Sequence, residues 1–206
     1  VRGENGKEGL LFIPNGANWP GGSFDPETGM LYVYSHTLVR VLSLVNDPKR
    51  SDMAYSSAGS ASEDGGGGLS VNGIPIIKPP WGRITAIDLN KGEIAWQIAH
   101  GNTPDAIKNH PALKGLSLPR TGQPGRTFIG VLTTKNLLIA GEGGVHTNEA
   151  GRRVALLRAY DKRTGADVGE VEMPARQTGS PMTYQIDGKQ YIVLAVSSAD
   201  GAELLA

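Results

Sequence analysis

The 206-residue chain has no cysteine, so it forms no disulfide and offers no thiolate to a metal. That absence leaves the compartment open, because an oxidising compartment permits cystines without requiring them. No run of 18 apolar residues occurs, and a membrane-spanning helix is therefore not expected. Charge of one sign is not in surplus either: 20 Lys and Arg balance 20 Asp and Glu. With no net field to draw it to nucleic acid or to anionic lipid, the chain is expected to bind no nucleic acid.

Apolar residues make up 39% of the chain and charged residues 19%, which is enough to fill a core and argues against disorder. The 29 glycines and 13 prolines fall between short apolar runs. That spacing favours many brief strands joined by tight turns over helices, so the expected class is all-β.

One stretch organises the rest. Trp81 to Trp96, WGRITAIDLNKGEIAW, is echoed by Ala155 to Gly169, ALLRAYDKRTGADVG. Superposing them sets Ala86 on Ala159, Asp88 on Asp161 and Gly92 on Gly165, a constant offset of 73 residues. In the first copy the Asp88 carboxylate can accept backbone N–H bonds across the turn, and Gly92 supplies the positive φ that closes it. Ile94 and Trp96 begin the return strand, with β-branched and aromatic residues on both sides, so the unit is a hairpin. A repeated Ala-x-Asp strand, Gly turn and Trp-bearing strand predicts propeller blades.

Along the chain, Leu10 to Ile13 is a short apolar run ended by Pro14, and the loop Gly16 to Gly22 follows. Gly22 to Phe24 is expected to pair with Met30 to Tyr34 across Asp25-Pro26-Glu27-Thr28-Gly29, and Leu38 to Val45 alternates like the next strand. From 46 to 80 the pattern fails, and Ser56 to Ser70 has the composition of a linker, so a flexible insertion is expected there. Its four glycines are not a phosphate loop, because no Gly-Lys-Ser/Thr follows. Between Ala99 and Gly125 the only helical candidate is Pro104 to Asn109. Phe128 to Thr134 and Asn136 to Ala140 predict a hairpin, and Gly141-Glu142-Gly143-Gly144 is rejected as a nucleotide loop because a strand, not a helix, follows. Ser180 to Ile186 and Gln190 to Ser197 flank a turn at Asp187-Gly188.

This order predicts a single partial β-propeller over residues 1–206, about two and a half four-stranded antiparallel blades, where a closed ring needs four to eight. The opening at Val1 and the close at Glu203-Leu204-Leu205-Ala206, which reads like a strand cut in the middle, suggest a fragment.

The Asp88, Gly92 and Trp96 spacing resembles the tryptophan-docking motif of eight-bladed quinoprotein dehydrogenases of the membrane-type glucose and alcohol class. PPWGRITAIDLNKGEIAW as a whole is similar to that family, as are GANWPGGSFDPETGMLYV (Gly16 to Val33) and TGSPMTYQIDGKQYIVLAV (Thr178 to Val196). The resemblance implies the C-terminal blades of a periplasmic enzyme that oxidises an alcohol or aldose sugar. It also implies pyrroloquinoline quinone (PQQ) and calcium as cofactors, and a quinone or cytochrome as electron acceptor. The family's catalytic Asp, calcium ligands and the Trp beneath the cofactor belong to earlier blades, and no residue here matches them. Gly169 stands where the echo hairpin would carry its docking Trp.

The family places an Asn-Trp pair before the SFDP-like strand close to the quinone, and Asn18 with Trp19 matches it. An amide can donate to a quinone oxygen or a cofactor carboxylate, so both residues are candidate cofactor-binding groups, against a turn-capping role for Asn18 and blade packing for Trp19. Phe128 or Ile129 matches a funnel-edge position, with packing the expected role. Glu142 sits at a strand end, where a carboxylate could face the funnel, and an exposed turn acid is the expected role. His36, His100, His110 and His146 have no metal-ligand spacing and are assigned to surface or turns. Trp81 and Trp96 are expected to be structural, each contributing about 2–3 kcal/mol by burial. The competing class is a non-catalytic propeller scaffold that binds proteins of outer-membrane assembly at its rim.

Overall fold

In a computed structural model, which describes residues 16–39, 44–57, 69–123, 129–199 and 201–206, the short apolar runs form antiparallel strands. Strands β1 (Gly22–Asp25) and β2 (Met30–His36) are joined by the expected Asp25 to Gly29 turn. Two small ladders follow, β3 (Leu44–Val45) with β4 (Ser56–Ser57) and β5 (Ser70–Val71) with β6 (Ile74–Pro75). The chain then rejoins the first sheet as β7 (Gly82–Asp88) and β8 (Glu93–Ala99), in the order β1-β2-β7-β8. After a helical turn α1 (Asp105–Lys108) and a 3-10 turn (Pro111–Leu113), the second sheet begins with β9 (Leu132–Thr133) and β10 (Leu137–Gly141). It is completed by β11 (His146–Thr147), β12 (Arg153–Asp161) and β13 (Asp167–Met173); β10 and β13 flank β12, and β11 pairs with the start of β12. In the third sheet β14 (Arg176–Gln177), β15 (Met182–Ile186) and β17 (Gly201–Leu205) all pair with β16 (Lys189–Ser198). The result is all-β and a partial propeller.

The two repeated hairpins agree down to their irregularities. Gly92 N–H donates to the Asp88 carbonyl at 2.7 Å and Gly165 N–H to the Asp161 carbonyl at 2.8 Å, with φ of 73° and 75° at the glycines. Each Asp carboxylate accepts two N–H groups of its turn, from Asn90 and Lys91 in one case and from Arg163 and Thr164 in the other. Both hairpins shift register at the same step, between Ala86 and Ile87 and between Ala159 and Tyr160. Trp96 lies opposite Ala86, and Gly169 lies opposite Ala159, where a Cβ would meet nothing within 4 Å.

The core lies between sheets. Tyr32, Tyr34, Ile84 and Ala86 of the first sheet pack on Val131, Leu138, Ala140 and Tyr160 of the second, with Trp96 against them. A smaller cluster joins Ala155 and Met173 to Leu194 and Val196 of the third. Lys162 and Asp25 form a buried ion pair at 2.7 Å across the first seam, and the Tyr32 hydroxyl donates to the Lys162 carbonyl at 2.9 Å. The Lys162 ammonium, together with the Thr28 hydroxyl, holds the Asp25 carboxyl below the usual carboxylate range. Trp81 is 3% exposed, with its indole N–H on the Ile77 carbonyl at 2.7 Å, as its structural role requires.

Some expected strands come out differently. Among the described residues of the Leu38 to Val45 run, Leu44–Val45 is strand and Leu38 and Val39 are not, while residues 40–43 lie outside the described residues. The physical reason is that β2 already has β1 and β7 as partners, so the chain leaves the sheet at Thr37, whose N–H meets the Trp81 carbonyl at 2.7 Å. The 46–80 segment carries β4, β5 and β6 among its described residues. The expected strand Leu10 to Ile13, residues 58–68 of the insertion and Phe128 lie outside the described residues.

The hairpin turns at Asp25, Asp88, Thr134 and Asp161 leave the sheets at one edge, and the long connections 37–81, 100–123 and 142–152 leave at the other. A Cβ on Gly165 would sit 2.9 Å from the Trp96 ring, whereas one on Gly151, also at φ 75°, would meet nothing within 4 Å. Gly151→Ala is expected to cost about 1 kcal/mol, the left-handed backbone alone, and Gly165→Ala at least about 2 kcal/mol because the seam must open as well. Urea unfolding of the two variants measures the difference.

Candidate functional site

At the long-connection edge the loop before β1 turns on itself. Gly21 N–H donates to the Asn18 carbonyl at 2.8 Å, and the Asn18 Oδ1 accepts the Trp19 N–H at 2.8 Å. Asn18 thus has the turn role open to it, and it also lines a narrow recess, with no room for a water molecule, together with Pro20, Tyr34, His36 and Ile129. Tyr34 and His36 come from the end of β2, and Ile129 from the approach to the second sheet. Trp19 is not packed in a blade: it is 91% exposed beside the recess. Ile129 is buried in the core, consistent with packing.

Behind the recess the seam carries buried polar side chains. His100, expected at the surface, is 1% exposed. Its Nε2 lies 3.0 Å from the Gly141 carbonyl, which can only accept, so Nε2 carries the proton and Nδ1 accepts the Tyr160 hydroxyl at 2.7 Å. Burial drives the His100 pKa down to about 4, against the Gly141 hydrogen bond and with help from Arg158 and Arg120. Desolvation likewise raises Tyr34 and Tyr160 above the usual phenol range. Gln177 is fully buried and donates to the Gly130 and Gly179 carbonyls at 2.8 and 2.6 Å, tying the third sheet to this edge.

Glu142 is also corrected: it is wholly buried, not an exposed turn acid. Its Oε1 accepts the Asn102 N–H at 2.8 Å and the Arg158 Nε–H at 3.0 Å. The sequence carried a signal for this in Arg158, a charged residue amid the apolar ALLRAY strand, which only a buried partner makes tolerable. His36 is buried too, whereas His110 keeps its turn role, accepting the Ala112 N–H at 3.2 Å and donating to the Asn72 carbonyl at 2.7 Å. The Gly141 to Gly144 loop leads into β11, a strand. Among the described residues no three His, Asp or Glu side chains gather as a metal site.

Paired antiparallel sheets in propeller order, with an amide and an exposed indole at the long-loop edge, define a portion of a β-propeller. Residues 6–192 match the PQQ family of glucose, ethanol and alcohol dehydrogenase β-propeller domains, and the chain belongs to that family. It is 31% identical over 206 residues to a probable quinate dehydrogenase (quinone) of Xanthomonas campestris pv. juglandis, covering 89% of this chain and 24% of that protein. It is 27% identical over 205 residues to quinoprotein glucose dehydrogenase A of Acinetobacter calcoaceticus, covering 91% and 24%. The quinohemoprotein alcohol dehydrogenase structure of Comamonas testosteroni shares the fold, with a TM-score of 0.54 at 21% identity, over 91% of this chain and 23% of that one. The chain therefore spans about a quarter of the length of these relatives.

Two measurements follow. The unfolded chain protonates a histidine near pH 6.5 and buried His100 only near 4, so its contribution is complete above 6.5 and declines as pH falls from 6.5 to 4. That loss amounts to about 3 kcal/mol, and His100→Gln is expected to flatten this part of a stability-against-pH curve obtained by urea titration. Trp19→Phe is expected to leave stability within about 0.5 kcal/mol and to remove the iodide-quenchable part of the tryptophan emission.

Proposed function

We propose that this chain is the part of a PQQ-dependent dehydrogenase propeller that furnishes one wall of the cofactor site, in an enzyme oxidising an alcohol or aldose sugar. The observation that carries this is Asn18, held by its own turn at the mouth of a recess on the long-loop edge, in a chain of the PQQ family. The residues fit such a role in part. Asn18 can donate its amide N–H groups to a quinone oxygen or a carboxylate, because the turn uses only its oxygens. Trp19 offers an exposed aromatic face, and the recess by itself does not admit a water molecule, far short of the roughly 300 Å³ at which ligand pockets begin. A tricyclic cofactor therefore needs further walls.

When bound, PQQ supplies a two-electron oxidant for a carbinol. This chain's part is to orient and to exclude water: Asn18 by donating, Trp19 by covering, and Ile129 and Tyr34 by closing the floor. The catalytic base and the calcium ligands fall to blades beyond the described residues. The same reading makes residues 1–206 one propeller portion, places the enzyme in the periplasm and gives it a quinone or cytochrome acceptor. The scaffold alternative gains no support from the family to which the chain belongs.

The test is a titration of the full-length protein with PQQ and calcium, followed by cofactor absorbance and by melting. Asn18→Ala is expected to weaken binding about tenfold, the worth of one hydrogen bond to a charged or polar ligand group, with melting of the cofactor-free protein unchanged. Equal affinity in the variant would remove Asn18 from the site, and absence of PQQ binding by the folded full-length protein would overturn the reading as a whole.

A further inference from the structure

The buried carboxylate of Glu142 belongs to a set of four side chains that the proposed cofactor wall does not use. Arg158 Nε donates to Glu142 Oε1 at 3.0 Å, and Arg158 Nη2 donates to Asn102 Oδ1 at 2.7 Å. Asn102 Nδ2 lies 3.3 Å from His146 Nε2, and His146 Nδ1 lies 3.5 Å from Glu142 Oε2. These last two atoms are both buried, and neither makes a hydrogen bond among the described residues, so their 3.5 Å approach is a contact of opposite polarity and not a hydrogen bond.

The direction of each bond follows from chemistry. A guanidinium only donates, so the oxygen of Asn102 must face Arg158. That turns the Asn102 NH2 group to His146 Nε2, which must then be an unprotonated acceptor. The imidazole proton is left on Nδ1, aimed at Glu142 Oε2. We propose that Glu142, Arg158, Asn102 and His146 form one directed chain of hydrogen bonds across the first seam, with the His146 Nδ1–H turned toward the Glu142 carboxylate at its open end, complete only while His146 is neutral, so that acid loosens the seam.

Asn102 comes from the loop after β8 of the first sheet; the other three come from the second. The two side-chain bonds of Asn102 in the chain therefore cross the seam, beside the bond from its backbone N–H to Glu142 Oε1. A second proton on Nε2 would set donor against donor at Asn102. Flipping the amide would move the same conflict to Arg158, so one crossing bond is lost either way.

The surrounding charges leave this logic intact. Asp105 of α1 is taken by Arg153, Glu172 of β13 by Arg152, and Glu170 of β13 by the remaining arm of Arg158. Lys108 and Glu149, of opposite sign, line the open groove over His146. Glu142 is thus the carboxylate facing the imidazole, and Arg158 and Lys108 are the cations on its other sides. The inference rests on the seam alone and stands whatever the enzyme's substrate.

The test is long-range proton-nitrogen correlation on the chain with labelled histidine, from pH 8 to 5, with hydrogen-exchange protection of the Asn102 amide measured in parallel. The site-specific reading separates His146 from His100. At pH 8 His146 is expected as the Nδ1–H tautomer, and Asn102 protection is expected to fall about fivefold as His146 takes its second proton. In His146→Gln, whose side-chain oxygen can still accept from Asn102, that fall should vanish. An Nε2–H tautomer or an imidazolium at pH 8, protection that does not follow the His146 titration, or an equal fall in His146→Gln would each overturn the proposal.

Discussion

The seam between the first two sheets is the constraint on which the rest depends. Neither sheet buries an apolar face by itself, and Tyr32, Ile84, Leu138 and Tyr160 reach essentially zero exposure only where the sheets meet. Each such side chain gives about 1.5–3 kcal/mol on burial, so the seam is the main apolar store of the molecule. Its charged groups then have to be paired with care. Lys162 meets Asp25 and Arg158 meets Glu142, and removing either partner would strand a charge away from water.

Topology turns this packing into a place for function. Hairpins of the Asp-x-x-x-Gly kind are short and self-satisfied, so one edge of the sheets is spent on holding strands together. The other edge receives every long connection, and there the Asn18 recess, the His100 to Tyr160 pair and Gln177 converge within reach of two seams. A rigid seam with variable loops at one edge is an arrangement that positions a ligand without asking the loops to be rigid themselves.

Much of this was legible in the sequence where local chemistry decides. The 73-residue repeat located both hairpins, and Asp88, Gly92, Asp161 and Gly165 act in their turns through the carboxylates and positive φ expected of them. The helical turn after Pro104 and the strand after Gly144 also follow from local pattern. What was not legible depends on non-local pairing. Leu38 to Val45 alternates like a strand, yet both edges of β2 were already taken. Glu142, His36 and His100 carry polar side chains whose burial depends on partners 16 to 60 positions away for Glu142 and His100, beyond the reach of periodicity. At the recess, sequence reasoning named Asn18, which the structure puts on the wall, and Trp19, which it leaves in solvent beside it.

The central claim is that Asn18 stands against the quinone. A crystal structure of the full-length protein with PQQ bound tests it most directly. The account predicts the Asn18 side-chain nitrogen within about 3.2 Å of a cofactor oxygen, at the long-loop edge. A cofactor seated with Asn18 more than about 6 Å away and still closed in its own turn would contradict it.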